Sequence, residues 1–291
     1  MAAVELGGHA FGRFCRFGRT DSAVRRRRDR ICNKESRVRL RWAGSDGRIL
    51  FGLFSGGVPP LAFTEIKFQD VLSVARQSQS TDGELDFTCE LCLIGLASYF
   101  EAFCKDCFAA IINICPEIAE TFASRRETTI AVTDLLDVKT NTAEKLGFLI
   151  AEKLDFGTAK AINSLYGDLL KVSPFSTDEM KRYSKFIDDR NLIVHHGSVV
   201  TLRYEKSPSG TKYRDRVHQD SIVINKRDVV GWARFLFTIA KKIAKSSKEG
   251  ITQFAAKRDI SLDRVRKEAI DVLDASGLFP EIANSPSSDP Q

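Results

Sequence analysis

The sequence predicts a mainly α fold, a helical bundle with a small β-hairpin inserted after one of its helices. Apolar residues recur at spacings of three and four between residues 85 and 273, as in helices that bury one face. Ser176 opens a Ser-x-x-Glu helix-start pattern, and Gly197 supplies a C-cap. The apolar runs 199–204 and 221–224 are predicted to pair as the hairpin.

The amino-terminal part is predicted to lie outside the bundle. Residues 1–47 carry clustered arginines, including Arg25 to Arg28, and account for the net charge of +6, because the rest of the chain is close to balanced. Such a basic arm either contacts RNA, DNA or an acidic surface without sequence selection, or is a disordered, solvated tail. Residues 48–78 contain Gly56-Gly57 and Pro59-Pro60 and are predicted to form one or two short strands with loops.

The bundle itself is assigned to residues 79–248, with the hairpin at about 199–225. A helical extension is expected at 249–279, and the Ser/Pro-rich residues 280–291 are expected to be disordered. The predicted helices span residues 85–114, 117–125, 142–154, 158–171, 177–196, 226–245 and 262–273.

Cysteine usage and hydropathy point away from secreted and membrane proteins. Seven cysteines are present without a secretory signal, and no apolar run is expected to approach the roughly 18 residues of a bilayer span. We therefore expect a cytoplasmic protein with reduced thiols and no membrane association.

Two Cys-x-x-Cys pairs, Cys89/Cys92 and Cys104/Cys107, have the spacing of a four-cysteine zinc site. The apolar periodicity continues between the pairs, so all four residues are predicted to lie on one helix. There Cys89 and Cys107 would be about 27 Å apart at 1.5 Å per residue, too far for one ion. Zinc is thus the less favoured interpretation, and no metal or cofactor is expected.

The 177–196 helix carries the candidate functional residues Arg190, Asn191 and His195. On a helical wheel Arg190 and Asn191 fall within the apolar sector, His195 lies at its rim above Asn191, and His196 points towards solvent. A guanidinium in an apolar stripe requires a carboxylate, a bound anion or an interface. The helix C-terminus favours a protonated imidazole at His195.

This pattern suits cleavage of RNA, with His195 as general base or acid, Arg190 neutralising the phosphorane charge and Asn191 positioning one of them. The structural alternative is that Arg190 pairs with a carboxylate of Glu101, Asp106 or Glu152, while His195 only caps the helix.

The segment Arg190-Asn191-Leu192-Ile193-Val194-His195 resembles the Arg-polar-x-x-x-His signature of the HEPN superfamily, the higher eukaryotes and prokaryotes nucleotide-binding domains. The surroundings resemble RNase-like and defence-associated bacterial members over roughly residues 80–248. The resemblance implies an α-helical bundle, usually a homodimer whose Arg and His residues face a shared cleft, and a metal-independent endoribonuclease of toxin–antitoxin or antiviral defence systems.

The expected partners are accordingly single-stranded RNA, a second copy of the chain, and an antitoxin or other partner protein. Other members of the superfamily keep the fold without catalysis. A helical module for dimerisation, nucleotide binding or protein binding is therefore the alternative function.

Overall fold

Helices account for most of the residues that the structure describes. These residues are 53–79, 85–127, 129–130, 142–210 and 217–277 of the computed structural model. The predictions for the arm 1–47 and the tail 280–291 concern residues outside these ranges. The helices are α1 (Pro60–Ala75), α2 (Phe87–Ile114), α3 (Glu117–Ala123), α4 (Thr142–Glu152), α5 (Ala159–Leu170), α6 (Thr177–His196), α7 (Leu202–Glu205), α8 (Lys226–Lys257) and α9 (Arg264–Val272). The predicted mainly α fold is confirmed.

Polar side chains start the main helices at the positions that local sequence favours. Asp86 accepts a hydrogen bond from the Cys89 backbone N–H at the start of α2, and Thr158 does the same for Ala161 at α5. Asn225 and Asp228 form a reciprocal capping box at α8. These caps satisfy N–H groups that have no partner within the helix.

The long helix α2 is the centre of the bundle. It packs against α1, α3, α4, α6, α8 and α9, and Phe100, Phe103 and Phe108 along it are buried. Among the described helices, α2 is long and apolar enough to cross a membrane, although 44% of its most apolar window is buried inside the fold. The expectation that no apolar run reaches this length is therefore wrong, and the cytoplasmic location stays a prediction.

The four cysteines of the two Cys-x-x-Cys pairs lie buried on this one continuous helix. Cys92 donates its thiol to the Val71 carbonyl (3.6 Å), and Cys107 donates to the Ser247 hydroxyl (3.8 Å). Burial raises the pKa of the Cys89 thiol to about 12 and that of Cys107 to about 11. Burial therefore favours the neutral thiol at these core positions.

Helices α2 and α4 approach most closely at Gly147. Its backbone N–H donates to the Asn113 side-chain oxygen at 2.8 Å, while Asn113 donates to the Leu53 carbonyl at 3.4 Å. A Cβ at position 147 would lie 2.1 Å from the Ala109 carbonyl oxygen. Only glycine allows this approach.

The prediction of strands between residues 49 and 68 is wrong for the part that the structure describes, because α1 begins at Pro60. Proline at the first helical position has its φ already set and needs no hydrogen-bond partner for its nitrogen. The glycine pair is used in a short 3₁₀ turn, Ser55–Gly57, just before the helix. Because α1 packs against α2 and α8, this segment belongs to the bundle.

The hairpin predicted at about 199–225 is not shown in the described residues, and the first of its two strands is corrected. In the described residues Val199 and Ser221 form one isolated antiparallel bridge, and 202–205 is the helical turn α7 in place of a strand. Thr201 caps that turn through its hydroxyl, which accepts from the Tyr204 N–H at 3.2 Å. A local capping interaction thus outweighs the strand preference of the β-branched run.

The boundary drawn at residue 248 falls inside α8, which continues without a break to Lys257. Ser247, Ile251 and Ala255 extend the buried face of this helix beyond residue 245. The extension and the bundle therefore share one helix and one core.

Asp106 lies on α2, where burial raises the pKa of its carboxyl from 3.8 to about 6. The folded state holds this proton more tightly than the unfolded state, so stability falls as pH rises from about 4 to about 6. We expect Asp106→Asn to be more stable than the wild type by about 2 kcal/mol at pH 7 and equal to it below pH 4. Urea unfolding across this pH range measures the difference in stability between the two proteins. A difference that does not change with pH would contradict the raised pKa of Asp106. The control is Glu152→Gln, at an exposed carboxylate, which should change stability by less than about 0.5 kcal/mol.

Candidate functional site

The candidate site lies at the C-terminal end of α6, and the bundle fixes the direction of this helix. Ser176 and Glu179 form the predicted capping box at its start, and the Lys242 ammonium of α8 lies 2.6 Å from the Glu179 carboxylate. Tyr183 packs on Phe100 of α2, with ring centroids 5.5 Å apart. The bounds predicted for α6 are confirmed.

The chain reverses directly after α6 through two successive residues with positive φ. Gly197 has φ 55°, ψ 41°, and its N–H donates to the Ile193 carbonyl, as in a helix C-cap. Ser198 follows with φ 69° and donates its hydroxyl to Glu90 of α2 at 2.6 Å. This turn folds residues 199–207 back along the last turns of α6.

A buried hydrogen bond holds the returning segment against α6. The Tyr204 hydroxyl donates to the Asp189 carboxylate at 2.6 Å, and both side chains are buried, at 6% and 7% exposure. Gly210 lies so close to the Tyr204 carbonyl that a Cβ would be 1.9 Å from its oxygen. A charged acceptor with a short phenolic donor makes this contact stronger than a neutral hydrogen bond.

A cavity of about 400 Å³ lies between α6 and this segment. It brings the predicted residues Asn191 and His195 together with His196 and Arg203. The complete lining is Asp188, Asn191, Leu192, His195, His196, Thr201, Arg203, Tyr204 and Ser207. Both imidazoles are on exposed side chains, so solvent and a polymeric ligand can reach them.

Arg190 adjoins this cavity but is not among the residues that line it. Its Nη1 donates to the Asn191 side-chain oxygen at 2.9 Å, so its half-buried guanidinium contacts a lining residue. Within the part of the chain that the structure describes, Arg190 pairs with no carboxylate. Of the three carboxylates considered as partners, Glu101 pairs with Lys105 instead, at 3.0 Å.

Asn191 therefore contacts Arg190, one of the two residues that the sequence suggested it positions. Among the described residues, no hydrogen bond joins Asn191 to His195. His195 and His196 both lie in the last turn of α6, at the C-terminal end of that helix.

The charges around the cavity are of both signs. Burial raises the pKa of the Asp188 carboxyl above its usual value, while the Ser207 hydroxyl and the Arg203 guanidinium nearby oppose this rise. Asp188 is the acidic group of the lining, against one guanidinium and two imidazoles. A phosphate therefore meets more cationic than anionic groups whenever an imidazole is protonated.

The described residues contain no group of three or more histidine, cysteine, aspartate or glutamate side chains arranged to hold a metal ion. No protein-family model matches the chain, and comparison with curated proteins and with solved structures found no match. Function is therefore argued from the site itself.

Arg203 and Asp188 are cavity residues that the sequence interpretation did not select. Arg203 was placed on a predicted strand, and the turn that brings it back depends on the tertiary Tyr204–Asp189 contact. Asp188 does carry a local signal, because it lies seven residues before His195 and hence on the same side of α6. His196 is exposed, as predicted, yet it also lines the cavity.

Proposed function

We propose that this protein is a metal-independent endoribonuclease of HEPN type that acts on single-stranded RNA. The observation that carries the proposal is the cavity in which two imidazoles, a guanidinium and a carboxamide meet at the end of one helix. The resemblance of Arg190 to His195 to the HEPN signature points to the same chemistry.

In the proposed reaction the ribose 2′-oxygen attacks the adjacent phosphorus as one imidazole removes its proton. The bond from phosphorus to the 5′-oxygen breaks, and a protonated imidazole donates a proton to that oxygen. His195 would take one of these roles and His196, which lines the same cavity, the other. The products are a 2′,3′-cyclic phosphate and a 5′-hydroxyl, with no water consumed.

Arg190 and Arg203 would neutralise the charge that develops on the phosphorane oxygens. The absence of an ion pair at Arg190 within the described residues supports this role, because a guanidinium already neutralised by a carboxylate attracts phosphate weakly. Asn191 holds Arg190 at the cavity edge through their 2.9 Å hydrogen bond.

A homodimer is part of the proposal. Large apolar side chains are exposed near both ends of the Ser198–Glu90 contact: Phe87 (70%), Leu91 (51%), Val194 (43%) and Val199 (37%). Apolar groups gathered in this way are typical of an interaction surface. A second copy seated there would bring two cavities towards each other, in keeping with the HEPN resemblance.

The test is cleavage of single-stranded RNA by the purified full-length protein in EDTA, on a fraction whose mass is determined by light scattering. We expect a dimer, and cleavage that leaves 2′,3′-cyclic phosphate ends. A DNA oligonucleotide of the same sequence should stay intact because it lacks the attacking hydroxyl. RNA left intact in varied sequence contexts, or cleavage lost on adding EDTA, would overturn the proposal.

The same exposed apolar side chains favour a second candidate, a non-catalytic module that binds another protein, such as an antitoxin. This candidate predicts a stable complex without RNA cleavage and no toxicity on expression. An active enzyme of toxin or antiviral defence type is expected to slow the growth of cells that express it.

A further inference from the structure

A second cavity, of about 460 Å³, lies in a different part of the bundle, where α3 and α8 both contact α5. Its lining combines an apolar wall with a basic rim. The apolar wall consists of Leu169, Leu170, Val172 and Phe254, and the rim consists of Arg125, Lys171, Lys257 and Arg258. Glu249 is the acidic residue of the lining.

Neutral groups orient the two arginines. Arg125 donates through Nη1 to the Asp168 backbone carbonyl at 2.7 Å. Arg258 donates to the Thr121 hydroxyl at 3.2 Å, and its guanidinium lies 5.1 Å from the centre of the Phe254 ring. The neighbouring Asp168 carboxylate pairs with Arg126, at 3.0 Å, so the charges of Arg125 and Arg258 remain available.

The two lysines of the rim lie at helix ends. Lys171 follows α5 in a left-handed conformation with φ 60°, ψ 33°, and Lys257 is the last residue of α8. Both are exposed, and neither makes an ion pair with a described residue. The negative ends of the helix dipoles stabilise cations at such positions. This interaction accounts for the two lysines but not for the concave apolar wall that lies between them.

The shape of this cavity depends on close helix packing at Gly250. A Cβ there would lie 3.0 Å from the Leu170 side chain. The missing side chain brings α8 against the end of α5 and leaves Leu170 and Phe254 facing a common space, with the cations at its opening. Concave apolar walls with a few convergent polar groups are typical of small-molecule sites.

We propose that this cavity binds a small amphiphilic anion, an apolar body that carries a carboxylate, sulfonate or phosphate head. The body packs on Leu169, Leu170, Val172 and Phe254, and the head meets Lys171, Lys257 and the arginines. The site is separate from the RNA-cleaving cavity, because the two linings share no residue.

The experiment uses the fluorescent aromatic sulfonate 8-anilino-1-naphthalenesulfonate and its uncharged analogue N-phenyl-1-naphthylamine. We expect the sulfonate to bind with a Kd on the order of tens of micromolar and the uncharged analogue about ten-fold more weakly. The double variant Lys171→Gln/Lys257→Gln should weaken sulfonate binding about ten-fold and leave the uncharged analogue unaffected, since it removes only the charge–charge attraction.

The matched control is Lys160→Gln/Lys267→Gln, which removes two exposed positive charges elsewhere and should keep the wild-type Kd within about two-fold. Equal sulfonate binding by the wild type and the Lys171/Lys257 variant would overturn the proposal, as would equal binding of the charged and uncharged probes. Displacement of the sulfonate by a short single-stranded RNA would instead identify a nucleic-acid groove and would also overturn it.

Discussion

Replacing His195 with alanine is expected to lower the rate of RNA cleavage by about a thousand-fold or more, because general acid–base catalysis contributes factors of 10² to 10⁴. The His195 side chain is exposed at the end of α6 and makes no hydrogen bond with the described residues. Its loss should therefore change the free energy of unfolding by less than about 0.5 kcal/mol. Single-turnover cleavage and thermal unfolding of the same preparation measure the two effects.

Two further histidine variants complete this experiment. His196→Ala should lower the rate by about ten-fold, because His196 lines the same cavity and solvent can replace one proton donor in part. His218→Asn should keep the rate within about two-fold: His218 lies outside the cavity lining, and asparagine tolerates its φ of 59°. A His195→Ala protein that cleaves at the wild-type rate would refute the assigned role.

Replacing Gly147 with alanine is expected to destabilise the bundle by about 3 kcal/mol, at the upper end of the cost of overpacking. A new methyl group would lie 2.1 Å from the Ala109 carbonyl oxygen and 2.7 Å from the Asn113 side-chain oxygen. Helices α2 and α4 would have to separate, and the Gly147–Asn113 hydrogen bond would lengthen. Alanine gains about 1 kcal/mol in helix propensity, which is too little to compensate.

Gly95→Ala is the matched control for this substitution, because Gly95 also lies within a helix, α2. A Cβ at position 95 would lie 3.6 Å from its nearest neighbour, a side-chain atom of Val71, which is an ordinary van der Waals distance. This variant should gain about 0.5–1 kcal/mol from helix propensity alone. Urea unfolding compares the two variants with the wild type. If Gly147→Ala also gained stability, the close approach of α2 and α4 would be wrong.

Local sequence was sufficient wherever a helix depends on its own caps and periodicity. The bounds of α6 follow from the Ser176–Glu179 capping box and from Gly197, and the structure has both. α1 and α7 were missed because Pro60 and Thr201 act as helix starts in stretches whose composition favours strands. At Thr201 the side-chain cap outweighs the strand pattern, and at Pro60 the fixed φ of proline suits the first helical position.

The site was predictable to the extent that it lies on one helix. The wheel placed Asn191 and His195 one above the other, and both line the cavity. It could not show that Arg190 turns towards Asn191, nor that Arg203 arrives from a segment folded back by Gly197 and Ser198. The first feature is a choice of side-chain rotamer, and the second depends on contacts between residues distant in sequence, such as the Tyr204–Asp189 hydrogen bond.

The two walls of the candidate-site cavity differ in how easily each can open. One wall is α6, a helix of 20 residues that is packed into the core. The other includes α7, a single turn of four residues anchored by the Tyr204–Asp189 contact. A turn this short has little intrinsic stability, so brief local unfolding can detach it while the bundle stays folded. The strength of the Tyr204–Asp189 hydrogen bond would therefore control how readily a large ligand enters and leaves this cavity.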